Sequence, residues 1–217
     1  MTRPRTTNLV SGLVRFFIAL ITLIAAIGAF SIFGWQAILT FTVLSNALMV
    51  VSFVWTGITL LGGKRTPYEP FAGSAVFYLI ITGLVFNLVL SPGSYGSEEA
   101  IIFGWSASDV THVINPLLAF AVWIVFAEHR RIPWKFVYVW LYLLIGYLVV
   151  ILAAIEFIPA IAAPYEFLDA GAIGWGGVIG RVSLYVAVFA ALAAAMIALD
   201  RKLPANTRVS EYDPYDQ

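Results

Sequence analysis

Six long apolar runs, separated by short polar stretches, set the pattern of the chain: about 13–33, 38–61, 71–90, 109–126, 136–158 and 178–199. Each approaches the roughly 20 residues that a helix needs to cross the hydrocarbon core of a bilayer. None shows the period-two alternation of a barrel strand, and backbone groups in lipid must bond within their own segment, so the runs predict helices. The expected fold is an all-α membrane bundle of six transmembrane helices, forming one domain over residues 1–202. The remainder, 203–217, is polar and contains Pro204 and Pro214, which predicts a disordered tail. No internal repeat stands out, and no matched pair of Gly/Pro-broken helices marks the inverted halves of a transporter. Arg3 and Arg5 ahead of an apolar run give the N-terminus the look of a signal peptide. The run is long enough to span and no small-x-small cleavage site follows, so it reads as a retained first helix.

Charge gives the bundle a direction. The basic loop residues fall in the N-terminal tail (Arg3, Arg5), the second connection (Lys64, Arg65), the fourth (Arg130, Arg131, Lys135) and the C-terminal tail (Arg201, Lys202, Arg208), while the other three connections have none. The positive-inside rule then places both termini in the cytoplasm. Trp35, Trp105 and Trp175 fall at the expected outer ends and Trp55, Trp123, Trp134 and Trp140 near the inner ends, as interfacial belts.

Composition narrows the chemistry. Hydrophobic residues make up 61% and charged residues 11% of the 217 positions. Soluble domains carry roughly 25% charge, so the bilayer is the expected partner and solvent. A formal net charge of zero gives no basis for nucleic-acid binding. Cysteine is absent, which excludes disulfides, thiol nucleophiles and Cys-ligated metals. Two histidines at opposite ends, without zinc-ligand spacing, predict no metal, and no phosphate cradle or other cofactor signature is present.

Polar residues inside spans are costly and mark candidate function. The second span carries Thr42, Ser45 and Asn46 on one face; the fourth carries Asp109, His112 and Asn115 on one face. Pro116 lacks the amide that would bond the His112 carbonyl, freeing an acceptor beside the ring. Asn87, Glu156 and Arg181 lie near the outer ends of their spans and Asp169 in the last outer connection, so these residues together outline a polar pocket open to the outer side. Ser52, Thr56 and Asn87 suit interhelical hydrogen bonding equally well. A Glu156–Arg181 or Asp169–Arg181 pair reads as structural. Arg15 is placed to snorkel at the inner end of the first span, and His129 reads as a solvated loop residue.

Thr42 and His112 fall at matching depth, one to two turns below the outer surface. Threonine needs a base to become a nucleophile, and His112 supplies one, with Asp109 expected on its other ring nitrogen and Ser45 or Asn46 as oxyanion donors. This supports a membrane-embedded nucleophile–base pair of the threonine-hydrolase type. Two other readings stand beside it: a small transporter or channel with a polar outer vestibule, and a non-catalytic assembly subunit.

Several motifs in order carry a resemblance: Phe-Thr-x-x-Ser-Asn at 41–46, Ile-Thr-Gly-Leu-Val-Phe-Asn at 81–87, His-x-x-x-Pro at 112–116, Arg-x-Pro-Trp at 131–134, Pro-Tyr-x-Phe-Leu-Asp at 164–169 and Asp-Arg-Lys-Leu at 200–203. In these the chain resembles bacterial six-span membrane proteins distantly related to the FAR-17a/androgen-induced-gene family (AIG1-like, ADTRP-like). The resemblance implies an inner-membrane location, and animal members of the wider group imply an intramembrane Thr/His pair cleaving esters of branched fatty acids. Carried onto this sequence, that implicates Thr42 as nucleophile, with Thr40 as a stand-in, and His112 as base. The chain departs from the pattern at Ala72, Val122 and Glu166.

Overall fold

The computed structural model describes residues 5–62 and 69–205. Arg3, Lys64, Arg65, Arg208 and the tail from 206 onward lie outside the described residues, as does the side chain of Arg5. Six helices carry the fold: α1 (Arg5–Phe33), α2 (Phe41–Leu61), α3 (Glu69–Leu90), α4 (Ala107–Phe126), α5 (Phe136–Phe157) and α6 (Ala170–Lys202). All six are long and apolar enough to cross a membrane, so the all-α, six-span reading is the observed architecture. Among the described residues there is no strand, only an isolated antiparallel bridge between Ile102 and Trp105.

Local chemistry sets the helix ends. Gly34 takes a left-handed conformation (φ 60°) that turns the chain out of α1, and a 3-10 turn (Gly34–Leu39) leads to Thr40. Thr40 caps α2 from an extended backbone, its hydroxyl accepting from the Val43 amide at 3.3 Å. The helix therefore begins at Phe41 rather than at 38. Ser106 and Asp109 form a reciprocal capping box at the start of α4. Asp169 caps α6 eight residues ahead of the expected start, because hydropathy alone passes over the glycine-rich first turns; Gly174 (φ 68°, ψ 157°) kinks the helix there. The last turn of α3 (Phe86–Leu90) and the segment Val110–Ile114 of α4 are wound as π-helix.

Packing makes α3 the most enclosed helix and leaves α5 and α6 the most exposed. Small residues bring α1 and α2 together: a Cβ on Gly57 would sit 2.9 Å from the Phe16 ring. The main core gathers Ile18, Met49, Phe53, Phe77, Ala119, Trp140, Leu144 and Ile197. Two bonds tie α3 to α5, from Trp140 Nε1 to the Pro70 carbonyl (3.0 Å) and from the Tyr78 hydroxyl to the Trp140 carbonyl (2.8 Å). Trp140 and Trp123 are thus core residues and not belt residues; their apolar surface is worth more against neighbouring helices than at an interface. The tryptophans that do lie exposed are Trp35, Trp55, Trp134 and Trp175.

Two expectations at the end carrying the described termini are corrected. Arg15 does not snorkel. It is buried, with its guanidinium over Phe53 and Phe126 (5.6 and 5.8 Å to the ring centroids), and it donates to the Ser11 carbonyl (3.1 Å) and to the Ser11 hydroxyl. His129 is not solvated. It is 2% exposed, with Nδ1 3.1 Å from Asp200 and Nε2 3.0 Å from the Ile124 carbonyl. Both partners only accept, so both ring nitrogens carry protons and the pair is a buried ion pair. Burial opposes the charge, but the bonds to Asp200 and Ile124 and the fields of Asp200 and Glu69 outweigh it and hold the ring above its ordinary value of 6.5. Asp200 also accepts the Ile132 amide (3.2 Å), so this cluster pins the connection after α4 to the end of α6.

Candidate active site

Thr42 sits in the first turn of α2, two residues past its cap. Its depth is less than the sequence suggested, because the preceding residues form the 3-10 turn instead of helix. The first turn presents amides with no helical acceptor and the positive end of the helix dipole, which favours negative charge on Thr42 or beside it. Thr40, the alternative nucleophile, is occupied: its hydroxyl donates to the Ala37 carbonyl (2.8 Å) and accepts from Val43.

His112 lies in the π-wound turn of α4, and its Nε2 is 3.0 Å from the Thr42 hydroxyl oxygen. The tautomer follows from the other nitrogen. Nδ1 is 3.0 Å from the Ser108 carbonyl, which can only accept, so Nδ1 carries the proton and Nε2 offers a lone pair to the threonine. The Ser108 and Thr111 hydroxyls approach Nδ1 at 3.3 and 3.2 Å. The ring lies on Phe86 of α3, with centroids 3.7 Å apart and planes at 12°. A backbone carbonyl and a stacked ring therefore hold the imidazole in one orientation.

Asp109 does not take the role expected of it. Its carboxylate accepts the Gly96 amide (2.9 Å) and the Ser106 amide (3.0 Å), facing back along α4 toward the cap and away from His112. Its position as the third residue after the cap explains this: the capping box claims the side chain.

The carbonyl freed by Pro116 finds a partner across the helix interface. Asn87 Nδ2 donates to the His112 carbonyl at 3.1 Å and to the Gly83 carbonyl at 2.8 Å. Close approach of α3 and α4 makes this possible, since a Cβ on Gly83 would fall 3.0 Å from that same His112 oxygen and 3.1 Å from the Pro116 ring.

Ser45 and Asn46 are also placed differently from the expectation. Both are buried behind Thr42, and both donate to its carbonyl, at 3.1 and 2.9 Å. Asn115 extends the network, donating to Asn46 (2.7 Å) and to Thr22 of α1 (2.9 Å). These groups are spent holding the nucleophile's backbone and do not face the open side of Thr42. Ser45 further shares a 2.8 Å hydrogen bond with Thr82 of α3.

The open side is a cleft whose walls are almost wholly apolar. Val85 and Leu90 of α3, Leu144 and Leu148 of α5, and Val182, Val186 and Phe189 of α6 form the walls, with Thr42 and Thr82 among the lining residues. It exists because α5 and α6 pack on each other while α6 touches α3 only sparsely. Glu156 and Arg181 are exposed outside it, and Asp169 is spent capping α6 through the Gly171 and Ala172 amides (2.9 and 3.1 Å). Among the described residues no ion pair joins Glu156 or Asp169 to Arg181, and none of the three lines the cleft.

Tyr165 is the residue that sequence reading overlooked. It lies in the connection before α6, stacks on Phe167 (5.2 Å, 4°), and its hydroxyl accepts the Phe41 amide at 2.8 Å. The Thr42 hydroxyl and amide and the Tyr147 hydroxyl are its other polar neighbours. Burial pushes the Tyr165 phenol above its ordinary value, so it keeps its proton and serves as a donor beside Thr42. The signal in the sequence was the Pro-Tyr of the 164–169 motif, which names no partner. Among the described residues no group of three metal-ligating side chains converges. No protein-family model, curated protein or solved structure matches this chain.

Proposed function

We propose that the protein is a membrane-embedded threonine-type hydrolase that cleaves a lipid or fatty-acid ester, with Thr42 as nucleophile and His112 as general base. The observation that carries this reading is the 3.0 Å contact between the Thr42 hydroxyl and an Nε2 left unprotonated by its partner on Nδ1. The apolar cleft beside Thr42 suits an acyl chain, which would bring its carbonyl to the hydroxyl.

The steps follow from the geometry. His112 Nε2 takes the Thr42 proton as the oxygen attacks the ester carbonyl, producing a tetrahedral oxyanion. The Tyr165 hydroxyl is the donor nearest that charge, the Phe41 and Val43 amides being taken by Tyr165 and Thr40. The protonated ring then gives its proton to the departing alkoxide, leaving an acyl-threonine and a free alcohol. Water, deprotonated by His112, attacks the acyl group, and the returning proton restores the Thr42 hydroxyl and releases the fatty acid. The Ser108 carbonyl takes the orienting role that a carboxylate plays in a triad.

The same reading places the termini in the cytoplasm, on the distribution of basic loop residues, and the protein in a bacterial inner membrane, on the resemblance to the FAR-17a/androgen-induced-gene group. Thr42 then opens toward the outer side. The test is covalent labelling of protein in lipid nanodiscs with a fluorophosphonate probe, followed by hydrolysis of fluorogenic acyl esters. Thr42→Ala and His112→Ala each abolish labelling and turnover, while Thr40→Ala retains both. Undiminished labelling of the Thr42 and His112 variants refutes the assignment.

A further inference from the structure

We infer that the bundle contains a second binding site, far from Thr42, whose ligand is water: a hydrated cavity that joins Ser52 to Trp123 and solvates the buried Arg15. The cavity is wide enough to admit a water molecule, and Arg15, Ser52, Thr56, Glu69, Val76 and Trp123 are among its lining residues. Ser52 and Thr56 sit ten and fourteen residues along α2 from Thr42, roughly 15 and 21 Å at the helical rise. Glu69 opens α3 and Trp123 lies in the last turn of α4, so the cavity belongs to the end that carries the described termini.

Two buried donors border it without a protein partner. Ser52 Oγ and Trp123 Nε1 make no hydrogen bond, although the residues are only 0% and 3% exposed. Local chemistry does not account for either. Thr22, Thr56, Thr59 and Thr82 each turn the hydroxyl back to a carbonyl of the preceding turn, and Ser52 does not. The His129 ring stands perpendicular to Trp123 at 5.2 Å, but its two nitrogens are taken by Asp200 and the Ile124 carbonyl, so it offers the indole no acceptor. A buried donor left without an acceptor keeps the full cost of its desolvation, and bound water is the common remedy.

The lining selects water over an ion. Arg15 and Glu69 bring opposite formal charges to the same cavity, so neither a free anion nor a free cation is favoured there. The indole N–H only donates while the serine hydroxyl both donates and accepts, a pair that water can bridge. Charged side chains within membrane spans characteristically face a water-filled cavity or the bundle interior, and the buried Arg15 borders this one. Glu69 and Ala72 are half-buried whereas the other lining residues are buried, which puts the mouth at the first turn of α3. The Glu128 amide donates to Glu69 Oε1 at 3.3 Å, tying that mouth to the end of α4.

Radiolytic footprinting of the full chain in nanodiscs tests the site, because hydroxyl radicals formed from bound water oxidise the side chains beside it. Trp140 is the internal reference: it is comparably buried, bonds its indole to the Pro70 carbonyl and does not line this cavity. The expected result is oxidation of Trp123 several-fold faster than that of Trp140. Ser52→Val, which removes the hydroxyl, should bring the Trp123 rate down toward that of Trp140. Equal oxidation of the two tryptophans in the natural chain overturns the inference in favour of a dry cavity. A phospholipid retained through purification, whose extraction raises the Trp123 rate, also overturns it and identifies a lipid headgroup as the occupant. The comparison within the natural chain keeps the test decisive if the Ser52 variant fails to insert.

Discussion

Asn87→Ala removes the donor that compensates for Pro116, and its cost can be worked from the contacts. The wild-type amide spans two acceptors, the His112 carbonyl at 3.1 Å and the Gly83 carbonyl at 2.8 Å. Leaving a buried carbonyl without its donor costs roughly 1–3 kcal/mol in water-soluble proteins. Side-chain hydrogen bonds between membrane helices average nearer 0.6 kcal/mol, because the unfolded helices find other partners in the bilayer. Asn87 is half-buried between two helices, so a value of about 1–1.5 kcal/mol is expected, a five- to tenfold shift in the folding equilibrium. The diagnostic quantity is the coupling to Pro116→Ala. With an amide restored at 116, the His112 carbonyl regains a helical partner, and Asn87→Ala should then cost at least about 0.5 kcal/mol less. Reversible unfolding in mixed micelles, followed by far-ultraviolet circular dichroism, measures all four corners of the cycle. An Asn87→Ala penalty below about 0.3 kcal/mol, or an equal penalty in both backgrounds, refutes the compensation argument.

Three further outcomes are expected. Tyr165→Phe removes a donor beside Thr42 while keeping the ring stack on Phe167, so turnover of a fluorogenic ester falls roughly 100-fold with little change in KM. Gly83→Ala places a methyl against the His112 carbonyl and Pro116, costing about 1–3 kcal/mol in micellar unfolding and lowering probe labelling as α4 shifts. The third concerns pH. Because the folded protein holds His129 above its ordinary 6.5, the stabilisation from the Asp200 pair is fully present below that value. It is lost as pH rises through the raised folded value. Asp200→Asn should therefore destabilise most at acid pH, where it leaves a buried charge unpaired, and a penalty that grows with rising pH contradicts the ion pair.

Much of the molecule was legible in the chain alone, and the reasons are physical. Six apolar runs must be helices because lipid offers no partner for an open backbone, so the span count needed no tertiary information. The Thr42 and His112 positions could be matched in depth by counting residues at constant rise, and the structure places them 3.0 Å apart. What lies around them was not legible. Asp109, Ser45 and Asn46 had the right chemistry and neighbourhood to serve the reacting atoms, yet a cap and a backbone carbonyl claimed them first. The spacing of residues along a helix shows which side chains share a face but not which local acceptor competes for them.

The sequence by itself determined that this is a six-helix membrane protein, which face of α2 and of α4 carries polar groups, and that Pro116 leaves a carbonyl free. Only the tertiary structure decided that Asn87 takes that carbonyl, that Ser108 sets the histidine tautomer, that Tyr165 lies beside Thr42, and that an apolar cleft opens next to the polar groups. The division has one cause. Periodicity and hydropathy are properties of a segment in its solvent, whereas a hydrogen bond between α3 and α4, or a gap between α3 and α6, depends on how segments far apart in the chain pack against one another.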